Sequence, residues 1–381
     1  MVDQAGGVLA TGSFPADTAG YQSLLQWLQG HGRVVRVGVE GTGSYGAGLA
    51  RHLSGAGVVV VEVNRANRQA RRRHGKSDTV DAIAAARAAL NGDATAIPKA
   101  GTGLVEAIRA LHVVRRSAVK ARTQTANQIR DLIVTAPDTL RAQLRGLSTT
   151  QRVKCCARLR PGELTDPTAA AKHALRLLAQ RYQHLDDEID QLDTALTDLT
   201  ARANPALAAT NGVGPDVAAT LLIAAGDNPD RMTSDASFAA LCGASPVEAS
   251  SGQVTRRRLN RGGNRHANNA LWRIATTRLR HDQRTQDYAA RRRAEGKSDR
   301  DIKRCLKRAI AREIQRTLTH PTTVPHGPDL RTARLNAGLT LTTAAETLGT
   351  WPNRLSELER GRRHDHDLAT RYQQWLNQRT T

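Results

Sequence analysis

Three carboxylates in the first part of the chain have a spacing that suits a divalent metal ion. Glu40 ends an apolar run, residues 34–39, and a glycine-rich segment follows it at 41–46. Asp78 and Asp81 are three residues apart in a stretch with a helical pattern, so they share one face of that helix. Carboxylate oxygens are the ligands that Mg²⁺ prefers, and paired ions can clamp the oxygens of a phosphoryl transfer. Glu40, Asp78 and Asp81 are therefore a candidate metal site, although acids at a helix start also act as caps and favour the helix dipole.

A candidate nucleophile lies much later in the chain, in the sequence Ser250-Ser251-Gly252. A serine in a glycine-containing loop next to many guanidinium groups could attack a phosphodiester, because the arginines would stabilise the charge that builds on the phosphate oxygens. A Ser-Ser-Gly loop is also ordinary linker sequence, so both interpretations remain open on these residues alone. The nearby arginines are Arg256, Arg257, Arg258, Arg261 and Arg265.

The charge of the chain predicts a polyanionic partner. Lys and Arg number 56 against 35 Asp and Glu, which gives a formal net charge of +21. Such an excess favours nucleic acid through phosphate contacts and counterion release. Residues 256–316 carry 20 basic and 6 acidic residues, and Trp272 and Tyr288 are their only large aromatic side chains, so we expect backbone contact to outweigh base stacking. A second basic segment beside the candidate metal site contains Arg71, Arg72, Arg73 and Lys76.

A glycine-rich turn at residues 211–216 offers another phosphate contact. Gly212 and Gly214 lie between two helical stretches, and the turn of a helix-hairpin-helix presents backbone N–H groups to a phosphate. A plain helix-to-helix turn fits these residues equally well.

The elements that must position these groups begin as an α/β pattern. We predict the tail of a strand, a Gly-Gly turn and a second strand within residues 1–14, and then a helix at 18–29 capped by Asp17. The strand of Glu40, a helix at 45–54 and a strand at 58–63 follow, which predicts a sheet covered by helices. From Asp81 to about residue 147 the pattern is helical, and 148–167 is expected to be a looser connector.

A heptad repeat between residues 175 and 199 predicts a coiled coil, either a hairpin within the chain or a dimer contact. An ordinary long amphipathic helix is the alternative. The two apolar series, each spaced by seven, are Leu175, Tyr182, Ile189 and Leu196, and Leu178, Leu185, Leu192 and Leu199.

The carboxyl end, residues 330–376, resembles the helix-turn-helix of phage repressors of the Cro/C1 type. A first helix is expected to end near Gly349, and a second, carrying Arg354, to begin after Pro352 and to enter the major groove. A small helical bundle for protein contact is the alternative, because Glu357 and Glu359 are unusual residues for a groove.

The four cysteines lack zinc-ligand spacing, and the longest apolar run, 217–225, is too short to span a bilayer. With no signal-peptide pattern either, we predict a cytoplasmic, nucleoid-associated protein.

Three strings together resemble the DEDD insertion-sequence transposases (insertion sequence 110 family): residues 37–46, 75–82 and 250–265. The resemblance covers about residues 1–318 and implies an α/β plus all-α fold. Its parts would be a RuvC-like (ribonuclease-H-type) domain apparently lacking its first strand, coiled-coil helices, a helical transposase domain and the small helix-turn-helix domain. The expected boundaries are 1–147, 148–204, 205–318, a linker at 319–329, and 330–381.

The resemblance also implies DNA transposition by a recombinase that works with Mg²⁺ and a structured noncoding bridge RNA. Its serine would attack DNA, assisted by the carboxylate site of a partner subunit in a homo-oligomer, a dimer or tetramer joined through the coiled coil. Glu40, Asp78 and Asp81 match the second, third and fourth acidic positions of the family. Ser251 matches its serine, with Ser250 as the alternative.

The family's first Asp has no counterpart here. It lies on the opening strand, upstream of the turn at residues 3–7, and neither Asp3 in that turn nor Asp17 at a helix cap replaces it. We therefore expect either a start further upstream or a defective copy. Two rival functions follow: a catalytically inactive truncated transposase that binds DNA and RNA, and a nuclease of the Holliday-junction type.

Overall fold

The computed structural model describes residues 1–63, 77–232, 234–253, 257–321, 324–325, 327–362 and 365–380. These residues are mostly helical, with a few short strands. The chain divides into two compact units. The first comprises Met1–Glu106 with Ala225–Phe238, and the second comprises Ala107–Ala224 with Ala239–Thr381.

The first unit contains the predicted alternation of helices and strands. The side chain of Asp17 accepts a hydrogen bond from the backbone N–H of Gly20 (2.8 Å), which confirms the predicted cap. The two strands pair in parallel, from Val37 opposite Val60 to Glu40 opposite Val63, as expected for two valine-rich runs joined by a helix. The elements are α1 (Thr18–Gly30), β1 (Val37–Glu40), α2 (Ala47–Gly55), β2 (Val60–Val63) and α3 (Asp78–Leu90).

The two faces of this strand pair are covered by different helices. Val39 and Val60 are buried with Leu53 of α2, and Leu24 of α1 packs against the same cluster. The other face packs on α3, where Val61 joins a cluster with alanines of that helix. Successive residues of a strand point to opposite faces, so Val37 and Val39 of β1 face α1 and α2, whereas Gly38 and Glu40 face α3.

Two predictions for this unit are wrong in part. The turn after Val2 forms as predicted, and Asp3 accepts the N–H groups of Ala5 and Gly7. Beyond the isolated bridge between Val2 and Val8, however, the described residues 8–14 contain no strand. The expected single helical stretch from Asp81 is broken after residue 90, where Gly92 takes a positive φ of 77° that ends the helix.

The second unit is built from long helices. The connector predicted at 148–167 is wrong in part, because it contains a helix whose start is a capping box between Ser148 and Gln151. The helices up to the glycine-rich turn and just beyond it are α4 (Leu104–Thr135), α5 (Asp138–Leu144), α6 (Thr149–Ala157), α7 (Pro167–Ala203), α8 (Pro205–Ala208) and α9 (Pro215–Ala225).

Helix α7 carries the heptads and runs antiparallel to α4 within the chain. Arg115 of α4 donates to Asp193 of α7 (Nη2–Oδ2 3.1 Å), and Arg122, seven residues later, pairs with Asp186, seven residues earlier. The first heptad series is buried except for half-buried Tyr182, whereas all four leucines of the second series are only half-buried.

A β-hairpin and four α-helices follow, and four more helices with a core of their own end the described part of the chain. After a turn of 3-10 helix at Pro229–Arg231 come α10 (Asp235–Leu241), β3 (Val247–Glu248), β4 (Arg257–Arg258), α11 (Arg265–His281), α12 (Gln283–Ala294) and α13 (Asp299–Thr319). The last four helices are α14 (Gly327–Asn336), α15 (Leu341–Thr347), α16 (Pro352–Glu359) and α17 (His366–Thr380).

Within the described part of the chain, no helix is both long enough and apolar enough to cross a bilayer. All four cysteines are free thiols.

Candidate catalytic and nucleic-acid-binding sites

Glu40 ends β1 on the face that packs against α3. Gly38 lies on this face, because a Cβ atom built there would be 2.5 Å from the carbonyl oxygen of Ala85 in α3. Glu40 is two residues further along the strand, so its side chain points to the same side. The residue type at position 38 therefore sets how closely α3 can approach the strand that carries Glu40.

The contacts along β1 and α3 indicate that Glu40 is level with Asp81 along the two elements. The Arg36 guanidinium reaches the carbonyl of Ala89 (3.4 Å), and Gly38 meets Ala85, so the strand and the helix run antiparallel. Two residues of a strand and four residues of a helix advance by nearly the same distance, about 6 Å. The next step along both elements brings Glu40 level with Asp81.

Asp78 lies at the first position of α3, about one helical turn before Asp81. The helix is capped by Ser77, whose hydroxyl accepts from the N–H of Val80 (3.3 Å), so neither aspartate is the cap. Asp78 is exposed, and Asp81 and Glu40 are half-buried. The structure thus brings Glu40 and Asp81 to one face and leaves Asp78 at its edge.

Among the described residues, no three His, Cys, Asp or Glu side chains converge as ligands of one metal ion. The donor set is nevertheless chemically suited to Mg²⁺, since Glu40, Asp78 and Asp81 offer only carboxylate oxygens. The backbone after Glu40 is also tightly folded: the N–H groups of Ser44 and Gly46 both donate to the carbonyl of Gly41, at 2.8 and 3.0 Å.

Both candidate serines lie where the β3–β4 hairpin turns. Ser250 and Ser251 are exposed, and Gly252 follows with a positive φ of 55°, a backbone conformation that favours glycine. These serines belong to the second unit and the three carboxylates to the first.

The predicted arginines are distributed as follows. Arg257 and Arg258 form β4, while Arg261 and Arg265 are exposed, in the following loop and at the start of α11. Arg71, Arg72, Arg73, Lys76 and Arg256 lie outside the described residues.

The glycine-rich turn joins α8 to α9 and is held by α11. Gly212 has a φ of +80°, and a Cβ there would be 3.3 Å from Cγ2 of Ile274. Arg278 donates from Nε to the carbonyl of Asn211 (2.8 Å), and its two terminal nitrogens bind Glu313 at 2.7 Å each. The turn is therefore fixed from one side, while Gly214 is exposed on the other.

A network of charged side chains around Asp216, at the end of this turn, is not predicted by the sequence patterns. Asp216, near the start of α9, accepts from Nε2 of His112 (3.0 Å), from Nη1 of Arg115 (3.0 Å) and from Arg273. The hydrogen bond from His112 and the two guanidinium groups hold the pKa of Asp216 well below its usual range, against the effect of burial. Asp216 lies on α9 and its partners lie on α4 and α11, 57 to 104 residues away, so sequence spacing gives no signal for this network.

In the carboxyl-terminal helices, the two glutamates that are unusual for a groove-binding helix have different environments. Glu359 is buried and accepts both Nε and Nη2 of Arg334 (2.7 and 2.9 Å), whereas Glu357 is exposed. Arg354 on α16 donates to Asp365 (2.6 Å) and remains 45% exposed. Glu359 is thus a structural residue of this bundle and no obstacle to a helix-turn-helix.

Comparison with known families gives two matches. A model of the DEDD transposases of insertion sequence 110 matches residues 1–136, which include all three carboxylates. A model described as "Transposase IS116/IS110/IS902 family" matches residues 204–290, which include the glycine-rich turn, both serines and the arginines that follow. No curated protein matches the chain.

These two matches, one over each of the regions that carry the candidate chemistry, confirm the predicted family, and they imply DNA as a substrate. The chain belongs to the insertion-sequence transposases of the insertion sequence 110 type, enzymes that recombine DNA.

Proposed function

We propose that this transposase exchanges DNA strands through a serine nucleophile, Ser251, with Ser250 as the alternative. The hydroxyl oxygen attacks a phosphodiester, forms a serine–phosphate bond and releases a sugar hydroxyl, which takes up the proton. The observation that carries this proposal is the position of Ser251, exposed at the turn of a short hairpin inside the region that matches the transposase family.

The surroundings of the hairpin support phosphate chemistry. Strand β4 is formed by two arginines, and residues 256–316 have a net charge of +14 from 20 basic and 6 acidic residues. Cationic donors aimed at a phosphate stabilise the charge that develops on its oxygens during attack.

Glu40, Asp78 and Asp81 would hold Mg²⁺ when the enzyme is assembled on its substrate. A bound divalent ion would withdraw charge from the phosphate oxygens. The chain's own contribution is the alignment of β1 with α3, which brings Glu40 level with Asp81 through the close approach at Gly38. In the family, these carboxylates act on the serine site of a partner subunit, so we propose a homo-oligomer.

Four further parts of the proposal concern the fold and the partners of the chain. We propose guidance by a structured noncoding RNA, a RuvC-like fold for the first unit, and a DNA-binding helix-turn-helix formed by α15 and α16. The last of these is supported by the four-residue connection between Thr347 and Pro352 and by the exposed Arg354 on α16. A coiled-coil role for α7 is supported by its second, half-buried leucine series, which leaves apolar surface for another helix.

A strand-transfer assay tests the serine assignment. Wild type, Ser251→Ala and Ser250→Ala would be incubated with the element's flanking DNA, its noncoding RNA and Mg²⁺, and binding of both nucleic acids would be measured in parallel. We expect Ser251→Ala to abolish transfer with binding retained, and Ser250→Ala to retain transfer. Transfer by Ser251→Ala together with its loss in Ser250→Ala would move the nucleophile to Ser250.

The same assay separates the rival functions. Binding without cleavage by the wild type at every Mg²⁺ concentration would favour the inactive DNA- and RNA-binding protein. Cleavage of a four-way junction that survives Ser251→Ala and Ser250→Ala but not Glu40→Gln would favour the junction nuclease.

A further inference from the structure

A basic cavity of about 510 Å³ lies in the second unit between the loop after β4, α11 and α13. Its size is in the range of small-molecule sites rather than of a groove for a duplex. Two of its lining residues, Gly243 and Gly263, pack closely together, because a Cβ on Gly263 would be 2.2 Å from the backbone nitrogen of Gly243.

The lining of this cavity is strongly cationic. None of the described residues that line it is acidic, and only one of its cations, Arg304, pairs with a carboxylate, that of Asp301 (2.8 Å). Burial and the neighbouring Arg304 lower the pKa of Lys307, as expected where several cations face one space. The six cations are Arg261, Arg265, Arg300, Lys303, Arg304 and Lys307. Such a concentration of positive charge fits an anion with more than one negative group.

One aromatic ring lies among these cations. Trp272 on α11 lines the cavity, and the residue is 44% exposed, so its ring is accessible to a ligand. The ammonium group of Lys303 lies 5.8 Å from the ring centroid. A flat π-system that stacks on this ring would displace the ammonium group and leave it next to the ligand's charge.

The side-chain amides that line the cavity form hydrogen bonds with other groups of the protein. The amide of Asn268 donates to the carbonyl of Cys242 (2.8 Å), and its oxygen accepts from Lys307 (2.9 Å). The Oδ1 atom of Asn260 accepts from the N–H of Gly262 (2.9 Å). These amides are thus committed, so the cavity offers stacking and charge but few groups that could distinguish one base from another.

We propose that this cavity binds one unpaired nucleotide of a single strand, with its base on the indole ring of Trp272 and its flanking phosphates on the surrounding cations. The proposal rests on the proposed function only in taking nucleic acid as the partner. It also revises the expectation that stacking is of little importance in the basic region. A base held in a duplex cannot reach the ring, whereas an unpaired base of DNA or RNA can, and the stacking is tolerant of sequence.

The test measures binding by the full chain carrying Ser250→Ala and Ser251→Ala, so that neither candidate nucleophile can cleave a strand. The probes are labelled oligothymidylate and oligouridylate about 12 nucleotides long, and a DNA duplex of the same length. Fluorescence anisotropy is recorded for this parent and for Trp272→Ala, Trp272→Phe and Lys303→Gln in the same background. Arg284→Gln, which removes an exposed cation from α12 outside the cavity, is the matched control.

We expect Trp272→Ala to weaken single-strand binding about 10- to 100-fold, the loss of one stacked base, and Trp272→Phe to restore most of it. Lys303→Gln should weaken binding and reduce its salt dependence by more than Arg284→Gln does. Duplex binding should change by less than about threefold in both Trp272 variants. The ratio of affinities for the two oligonucleotides identifies whether the strand is DNA or RNA.

Equal losses for duplex and single strand, or no loss in Trp272→Ala, would overturn the proposal. Competition by pyrophosphate that is unaffected by Trp272→Ala, with unchanged oligonucleotide binding in that variant, would reduce the cavity to a phosphate site. Failure of the serine mechanism would leave these binding results unaffected, because both candidate hydroxyls are absent from every protein used and the assay measures binding, not strand transfer.

Discussion

The buried ion pair of the carboxyl-terminal bundle gives a prediction whose magnitude can be estimated from the structure. Glu359 and Arg334 are 4% and 8% exposed in their side chains. Glu359 accepts two hydrogen bonds from Arg334 and a third from the hydroxyl of Tyr372 (2.7 Å). Arg334 also donates to the carbonyl of Leu339 (2.8 Å), so the pair connects three helices and a turn.

Replacing Glu359 by Met removes one charge and leaves the guanidinium of Arg334 buried without its partner. Breaking a buried pair in this way costs about 3–5 kcal/mol. Removing only the third hydrogen bond, by Tyr372→Phe, should cost about 1–3 kcal/mol. The double variant Arg334→Met/Glu359→Met buries no charge and should recover most of the loss, because replacement of both partners by apolar groups is often nearly neutral.

Hydrogen exchange of the intact chain, followed by mass spectrometry, measures this effect where it occurs. A loss of about 3–5 kcal/mol corresponds to a fall in amide protection by roughly two to three and a half powers of ten in α14, α16 and α17. Protection in α1–α3 should not change. Glu357→Met is the matched control, since Glu357 is an exposed glutamate on the same helix, and should alter protection by less than about threefold.

Equal effects of Glu359→Met and Glu357→Met would refute the assignment of Glu359 as a structural residue. A double variant as unstable as Glu359→Met alone would refute the argument that the cost comes from an uncompensated charge.

Three further predictions concern the other sites. Asp216→Asn should destabilise the second unit by about 1.5–3 kcal/mol, because His112, Arg115 and Arg273 lose the carboxylate that accepts their hydrogen bonds. Because the pKa of Asp216 is lowered, its stabilising contribution is fully present above about pH 4 and is lost as the pH falls below that value, which urea unfolding at several pH values measures. Gly38→Val should displace α3 from β1, since even a Cβ would be 2.5 Å from the Ala85 carbonyl oxygen. It should therefore lower both the amide protection of α3 and the rate of strand transfer. Gly43→Ala is the control and should affect neither, because a Cβ there meets nothing within 4 Å. Gly263→Ala should separate the segment from Gly243 and weaken single-strand binding at the cavity, which anisotropy measures.

Sequence patterns predicted the elements whose signals are local. Asp17 is predictable as a cap because it directly precedes the helix it serves, and it accepts a 2.8 Å hydrogen bond from the N–H of Gly20. A valine-rich run that leads into glycines predicts a strand end at Glu40, and β1 ends at that residue. The capping box at Ser148 and Gln151 is an equally local signal, and it marks the start of a helix where the composition predicts a connector.

The rest depends on contacts between distant segments, which spacing does not encode. Asp216 accepts hydrogen bonds from His112 and Arg115, which lie on a helix about a hundred residues earlier, and no pattern in either segment predicts this contact. The sequence predicts Glu359 as a groove-facing acid, whereas its side chain is buried against Arg334, 25 residues before it. The setting of Trp272 among cations likewise arises only when α11 and α13 pack together.

The central claim is that a serine of the hairpin becomes bonded to DNA. The most direct measurement is to trap the covalent complex with the element's DNA, its RNA and Mg²⁺ under denaturing conditions, digest it, and identify the modified peptide by mass spectrometry. The account predicts a nucleotide attached to Ser251, with no adduct in Ser251→Ala. Efficient strand transfer without any protein–DNA adduct, or an adduct on a residue outside the hairpin, would contradict it.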